Sequence, residues 1–223
     1  MYSKQLHWKT IACSDLCNRS RLAFDRTNIF LLRITAMQSS KYLKHYYADY
    51  WTRRLLAIAQ NIPVTDVILS KTSFGKPYAV NSDFRFNISC CHDALLIGLS
   101  KNDIGIDIIY EKRKINDIQH FYRLISSDIE QFECHKIDKK SLLKIWVGKE
   151  SLLKLIGSGF YIHPSALSVL PMLRAEKNAI TVGRKRYHLM WLPKWENFVS
   201  CIAMHDPPVP SLWKLSIFHS KQQ

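Results

Sequence analysis

The chain has 223 residues, 47% of them hydrophobic, which is typical of a folded protein of one large or two small domains and excludes a disordered one. Its 32 Lys and Arg against 18 Asp and Glu give a net charge of +14, which favours a polyanionic partner: nucleic acid, anionic lipid, a phosphorylated cofactor or an acidic protein. The sequence has no stretch near the roughly 20 apolar residues of a membrane span and no signal-peptide core, so we expect a cytoplasmic protein.

The first half of the sequence predicts one long helix and three short strands. Residues 41–60 place apolar side chains at helical spacing, and Asn61-Ile62-Pro63 ends that helix. The strands are predicted where β-branched or alternating stretches lie between turn residues, at 84–89, 94–100 and 104–110.

The second half predicts a helical stretch at 116–133 and a longer helix from Lys140 to Ile156, which Gly157 stops. Further strands are predicted at 166–170, 179–183, 187–192 and 198–204, and a tail with little pattern begins at Pro207. Each half holds helices and strands, so we expect an α+β protein of two similar lobes, residues 1–102 and 103–223.

Six cysteines lie at positions 13, 17, 90, 91, 134 and 201. Cys13 and Cys17 could form half of a metal site, but the sequence offers no second Cys/His pair at suitable spacing. We therefore expect reduced thiols, as in intracellular proteins.

Charged residues within two apolar segments indicate a candidate site. Asp107 lies inside the apolar strand IGIDIIY, where a carboxylate needs a hydrogen-bonded partner, a cation or a metal. In the long helix Glu150 and Lys154 share a face, and Lys149 lies about 100° to one side. The alternatives to a functional site are a surface salt bridge between Glu150 and Lys154 and an Asp107 that is ion-paired locally. If strand and helix meet, the two carboxylates suit Mg²⁺, and Lys149 and Lys154 would neutralise phosphates beside it.

Several short stretches resemble the motifs of one protein family and follow one another in the order that this family has. They are FGKPY at 74–78, FNIS at 86–89, IGIDI at 104–108, W-x-x-K-E-S-x-x-K at 146–154 and G-x-G-F at 157–160. Together they resemble the Sfp-type 4′-phosphopantetheinyl transferases over roughly residues 40–205. The resemblance implies two α+β halves related by a pseudo-twofold, with coenzyme A bound in the cleft between them.

The resemblance also implies a reaction and its residues. The phosphopantetheine arm of coenzyme A moves to a serine of a carrier protein, with Mg²⁺ (or Mn²⁺) at the pyrophosphate, and adenosine 3′,5′-bisphosphate is released. Asp107 and Glu150 would be metal ligands, Glu150 the base for the serine, and Lys154 the residue that holds the pyrophosphate, with Lys149 nearby. The nucleotide end of the cleft would be lined by Lys76, Pro77, Ser89 and Cys90.

The sequence departs from the family pattern at four places. Cys90 stands where a phosphate-binding histidine is common, a contact that His92 could replace, and Ile109 stands where a second acid is common. Lys44 or His45 falls near the usual arginine of the first helix. The F-S-x-x-E motif is approximated by residues 125–129, with Glu130 one place late.

The basic clusters suggest partners. Lys112, Arg113 and Lys114 would dock an acidic acyl or peptidyl carrier protein of non-ribosomal peptide, polyketide, siderophore or fatty-acid biosynthesis, with this chain as a monomer. Together with residues 184–186, the same cluster supports the alternative of a nucleic-acid-binding protein. A degenerate relative that binds coenzyme A without turnover is a third reading, motivated by Cys90 and Ile109.

Overall fold

Two β-sheets pack against each other, and each carries one long helix on its outer face. The computed structural model describes residues 6–17, 22, 24–38, 40–133, 136–158, 161–174 and 179–216. The helices are α1 (Lys41–Gln60), α2 (Ile118–Ile125), α3 (Asp128–Glu133), α4 (Lys139–Ile156) and α5 (Leu170–Leu173). The strands are β1 (Lys9–Ala12), β2 (Asn28–Arg33), β3 (Leu69–Lys71), β4 (Pro77–Ala79), β5 (Arg85–Cys91), β6 (Ala94–Ser100), β7 (Ile104–Tyr110), β8 (Ala179–Val182), β9 (Lys185–Trp191), β10 (Phe198–Met204) and β11 (Ser211–Ser216).

The strands form a five-stranded sheet in the order β1-β11-β2-β6-β5, a four-stranded sheet in the order β7-β10-β9-β8, and the separate hairpin β3-β4. An apolar cluster that includes Leu31 and Leu96 of the first sheet and Ile106 and Ile202 of the second joins the two sheets. Because strand side chains alternate between faces, the opposite face of each sheet is free to bury a helix.

Helix α1 covers the outer face of the five-stranded sheet. It begins at Ser40, whose hydroxyl accepts a hydrogen bond from the amide of Tyr42 (3.1 Å), and ends at Asn61, which has a left-handed backbone (φ 59°). Its buried Leu55 and Leu56 pack in one cluster with strand residues such as Phe30. The helix predicted at 41–60 is confirmed.

Helix α4 covers the four-stranded sheet and lies unusually close to β7. A Cβ at Gly105 would overlap the backbone of Ser151 and Leu155, so this position of the strand tolerates only glycine. Asp138 caps the start of α4, and Gly157 ends it in a left-handed conformation (φ 74°). The close approach is what brings the charged residues of strand and helix together.

The predicted strands at 84–89, 94–100, 104–110, 179–183, 187–192 and 198–204 are confirmed to within a few residues. The stretch 116–133 forms two helices rather than one, because Ser127 starts a new helix at α3. The strand predicted at 166–170 is wrong. That segment connects a 3-10 helix (Pro164–Ala166) to α5, and its Val169 amide bonds to Glu130 instead of to a neighbouring strand.

The predicted patternless tail contains a strand. β11 lies between β1 and β2, parallel to both, as the second strand of the five-stranded sheet. The division at residues 102/103 and the pseudo-twofold stay predictions, although β11 shows that the end of the chain returns to the sheet of its first half. Within the described ranges, no helix combines the length and apolarity needed to cross a bilayer.

Candidate active site

The site is built where β7 crosses α4. Asp107 on β7 is 7% exposed, and its Oδ1 accepts a hydrogen bond from Lys154 Nζ on α4 at 2.7 Å. Ser89 on β5 donates its hydroxyl to the same oxygen, also at 2.7 Å. Glu150, one helical turn before Lys154, lines a cavity with both of them. The condition for a shared site is therefore met, because β7 and α4 come together around Asp107.

Glu150 is a carboxyl group whose charge is disfavoured by its surroundings. Burial raises its pKa, the nearby Asp107 carboxylate raises it further, and the Lys154 ammonium acts in the opposite direction. Two carboxylates that line one cavity in a partly buried position gain from a shared cation. They also make Glu150 suited to accept a proton.

The raised pKa of Glu150 predicts a pH-dependent stability. The fold favours the protonated form of Glu150. The contribution of this group to the free energy of unfolding is therefore fully present below its unfolded-state pKa and is lost as the pH rises through its folded-state pKa. We expect Glu150→Gln to match the wild type in Tm at acidic pH and to exceed it at pH 7–8 without divalent metal. Differential scanning calorimetry across pH measures this. If the wild type were more stable than Glu150→Gln at pH 8, the charged form of Glu150 would not be disfavoured in the fold.

The donor set fits a magnesium ion. Mg²⁺ is usually held by one or two carboxylates, with its other positions left to water and phosphate oxygens. Asp107 and Glu150 supply such a pair. Across the part of the chain that the structure describes, there is no group of three or more His, Cys, Asp or Glu residues of the kind that would bind a metal without a substrate.

Three adjoining cavities form a cleft along this site. A polar one of about 270 Å³ contains Asp107 and Glu150, and a larger one of about 510 Å³ is walled by apolar side chains such as Trp146 and Phe121. Glu150 and Lys154 line both. A third cavity of about 870 Å³ adjoins the second and is lined by Lys71, Lys76, Pro77, Tyr78 and Arg85 among others. Glu150 and Lys154 thus lie between a larger apolar space and a small polar one.

Lys76 and Pro77 lie where the second and third cavities meet. The Lys76 ammonium donates to the carbonyl of Leu155 at the end of α4 (3.0 Å). Its pKa is lowered, chiefly by burial, with Asp103 opposing the shift. Ser89 and Cys90, predicted to line the nucleotide end together with these two residues, instead line the small polar cavity, and the role of Lys76 and Pro77 in nucleotide binding stays a prediction.

Cys90 lines the small polar cavity, and burial raises the pKa of its thiol to about 11, so it is uncharged at neutral pH. Lys44 on α1 is close enough to act on this thiol electrostatically. His45 instead bonds the carbonyl of Lys41 (2.8 Å), and His92 bonds Asp93 and stacks on Tyr110. Lys44 is therefore the better candidate for the missing phosphate contact.

Lys149 does not lie beside the other charges, and its predicted place next to the phosphates is corrected. Its side chain is fully buried, and its ammonium donates to Glu130 Oε2 (2.5 Å) and to the carbonyl of Ile125 (2.6 Å). The helical rotation between Lys149 and Glu150 turns it into the protein interior. Burial lowers the pKa of Lys149, and the Glu130 carboxylate counters that shift.

Glu130 is one place out of register in the predicted F-S-x-x-E motif, because Ser127 rather than Ser126 is the serine that pairs with it. Ser127 and Glu130 form a reciprocal cap, in which the Ser127 amide donates to Glu130 Oε2 (2.9 Å) and the Glu130 amide to Ser127 Oγ (3.3 Å). The S-x-x-E pattern of such a cap was the available signal. Glu130 Oε1 also accepts from the Val169 amide (2.8 Å). The pair with Lys149 therefore joins α3, α4 and the turn before α5.

Ile109 is 3% exposed and packs with α4 residues such as Leu153, whereas Ile106 and Ile108 face the other sheet. Asp107 and Ile109 therefore share a face, as the strand register predicted.

Lys112, Arg113 and Lys114 follow β7 in an exposed loop, and Arg113 also lines the polar cavity.

Comparison with known proteins matches residues 103–200 to the 4′-phosphopantetheinyl transferase superfamily. The chain is also 30% identical over 115 residues to the 4′-phosphopantetheinyl transferase gsp of Aneurinibacillus migulanus, an alignment that covers 49% of this chain and 46% of that relative. The chain thus spans about half the length of the curated relative that it matches. The matched family region contains β7 and α4, and the likeness predicted from the motifs is confirmed.

Proposed function

We propose, on the premise that residues 103–200 belong to the 4′-phosphopantetheinyl transferase superfamily, that this protein moves the 4′-phosphopantetheine arm of coenzyme A to a serine of an acyl or peptidyl carrier protein. One observation carries the proposal: Asp107, Glu150 and Lys154 converge from β7 and α4 at the junction of two cavities. Such a cluster offers carboxylates for a divalent cation and an ammonium for a pyrophosphate.

Asp107 and Glu150 would hold Mg²⁺, which when bound neutralises charge on the pyrophosphate of coenzyme A. Lys154 donates to Asp107 and would give a further hydrogen bond to a pyrophosphate oxygen, where charge grows as the leaving group departs. Its 28% exposed side chain can reach a ligand in the cleft, unlike that of Lys149.

The proton of the incoming serine would pass to Glu150. The serine oxygen forms a bond to the phosphorus that carries the pantetheine arm, and the bond from that phosphorus to adenosine 3′,5′-bisphosphate breaks. A carboxylate whose pKa is raised by burial and by Asp107 is a stronger base than an exposed one, which supports this role.

The shapes of the cavities agree with coenzyme A as the co-substrate. The apolar cavity with Trp146 and Phe121 adjoins Glu150 and Lys154 and suits an uncharged part of coenzyme A next to its pyrophosphate, and the cavity with Lys71, Lys76 and Arg85 beyond it offers cations to a further phosphate. In the small polar cavity Cys90 can give only a weak hydrogen bond, so Lys44 and Arg113 are the cations near it that could replace a histidine.

Titration calorimetry tests this binding and the rival proposal of a nucleic-acid-binding protein. We expect coenzyme A to bind more tightly with Mg²⁺ than with chelator, and Lys154→Ala to weaken it while Lys154→Arg largely retains it. Single-stranded DNA should bind only weakly, with an affinity that falls steeply as salt rises. Tight DNA binding without measurable coenzyme A binding would reverse the assignment.

The loop of Lys112, Arg113 and Lys114 is the proposed docking surface for an acidic carrier. We expect the double reversal Lys112→Glu and Lys114→Glu to raise KM for the carrier and to flatten its salt dependence, with KM for coenzyme A unchanged. Steady-state kinetics at several salt concentrations measure this, and the same double reversal at Lys185 and Arg186 is the control. Equal changes in KM for both substrates would remove the loop from carrier docking.

A further inference from the structure

Strands β5 and β7, which belong to different sheets, are joined by side chains instead of by backbone carbonyls. Asn87 Oδ1 accepts the amide of Ile106 (2.9 Å), Ser89 Oγ that of Ile108 (3.2 Å), and Cys91 Sγ that of Tyr110 (3.2 Å). Each bond spans the same 19 residues, so the strands run parallel in a constant register. We call these three bonds the side-chain ladder.

The ladder provides acceptors for the backbone amides along one edge of β7. Without it, these buried amides would have no hydrogen-bond acceptors on that edge. The other edge pairs with β10, in the register Ile108 to Ser200 and Asp107 to Cys201. Buried amides without acceptors are costly, and alternate β5 side chains supply the acceptors on the β5 side. The ladder therefore fixes the position of β7 along β5.

Ser89 is the middle member and has a second task. It is 6% exposed, its oxygen receives the Ile108 amide, and its single proton goes to Asp107 Oδ1. Lys154 donates to that same oxygen. Within the described part of the chain, both groups that donate a hydrogen bond to the Asp107 carboxylate therefore bind its Oδ1. Its Oδ2 remains available for a ligand in the cleft.

We propose that Ser89 is a positioning residue, which orients the Asp107 carboxylate and fixes the register of β7. The role in transfer rests on the proposed function, whereas the ladder does not. A hydroxyl that already donates to Asp107 and accepts from Ile108 has no proton left for a phosphate.

Amide hydrogen exchange by NMR tests the ladder independently of activity. We expect Ser89→Ala to speed exchange at Ile108 by on the order of tenfold, beyond any change at the amides of α4. Ser200→Ala is the matched control, because Ser200 is equally buried (7%) and lies opposite Ile108 on the other side of β7. Exchange at Ile108 that is the same in Ser89→Ala and in the wild type would overturn the ladder.

Kinetics then test the positioning. In Ser89→Ala we expect kcat to fall by on the order of tenfold, with KM for coenzyme A changed by less than about twofold, and Ser89→Thr to recover most of the rate. A raised KM with unchanged kcat would show direct contact with coenzyme A and overturn the positioning role. If the wild type itself transfers nothing, the proposed function fails, and hydrogen exchange still decides the ladder.

Discussion

Asp107→Ala and Glu150→Ala are each expected to lower the rate of phosphopantetheine transfer by on the order of 100-fold or more. Each change removes a carboxylate from the cleft and leaves the pyrophosphate charge less compensated. Removing Asp107 also frees Lys154 and Ser89 from the oxygen that both now bind. Single-turnover rates at saturating coenzyme A and Mg²⁺ measure the loss.

The isosteric variants Asp107→Asn and Glu150→Gln separate charge from packing, because they keep the shape of each side chain. We expect them to lose as much rate as the alanine variants while remaining folded. Asp128→Ala, at an exposed position of α3, is the control and should turn over normally. Near wild-type rates in either isosteric variant would remove that carboxylate from the chemistry.

Lys149→Met is expected to destabilise the protein by about 3–5 kcal/mol, because it leaves the Glu130 carboxylate buried without its cation. Both side chains have 0% exposure, and together they make four hydrogen bonds to Ile125, Ser127, Val169 and each other. Urea unfolding followed by circular dichroism measures the change.

The matched control is Lys154→Met, five residues further along the same helix. Its ammonium is partly exposed, so we expect it to cost much activity and far less stability. The double variant Glu130→Leu with Lys149→Met should be more stable than Lys149→Met alone, since no buried charge then remains. A stable Lys149→Met protein with impaired coenzyme A binding would instead return Lys149 to the phosphate site.

The different positions of these two lysines show what the sequence could and could not predict. Glu150 and Lys154 are four residues apart and share a face, which the helical period alone predicts. Lys149 has apolar neighbours at Ile145, Leu152 and Leu153, so the same period contained the signal that it points inward. Its partner Glu130 could not be identified, because nothing local in the sequence brings the segment at 130 against α4.

The central strands and helices were predictable because each has its own period and its own stop signals, as in α1 with Asn61 and α4 with Gly157. β11 was not, because SLWKLS is short, follows several prolines, and is a strand only through its parallel neighbours β1 and β2. The side-chain ladder had a signal in the alternation of Asn87, Ser89 and Cys91 with apolar residues. That alternation is equally typical of a strand with one solvent-facing side.

Intact mass spectrometry of a carrier protein tests the account most directly. The purified protein is incubated with coenzyme A, Mg²⁺ and apo carrier domains of the peptidyl, polyketide and fatty-acid types, and the carrier mass is followed in time. We predict that at least one carrier gains the mass of one phosphopantetheine group on its serine, and that Glu150→Gln leaves it unmodified over the same period. Carriers that all stay unmodified, with a folded protein that binds coenzyme A, would contradict the transferase and leave a coenzyme A-binding protein without turnover.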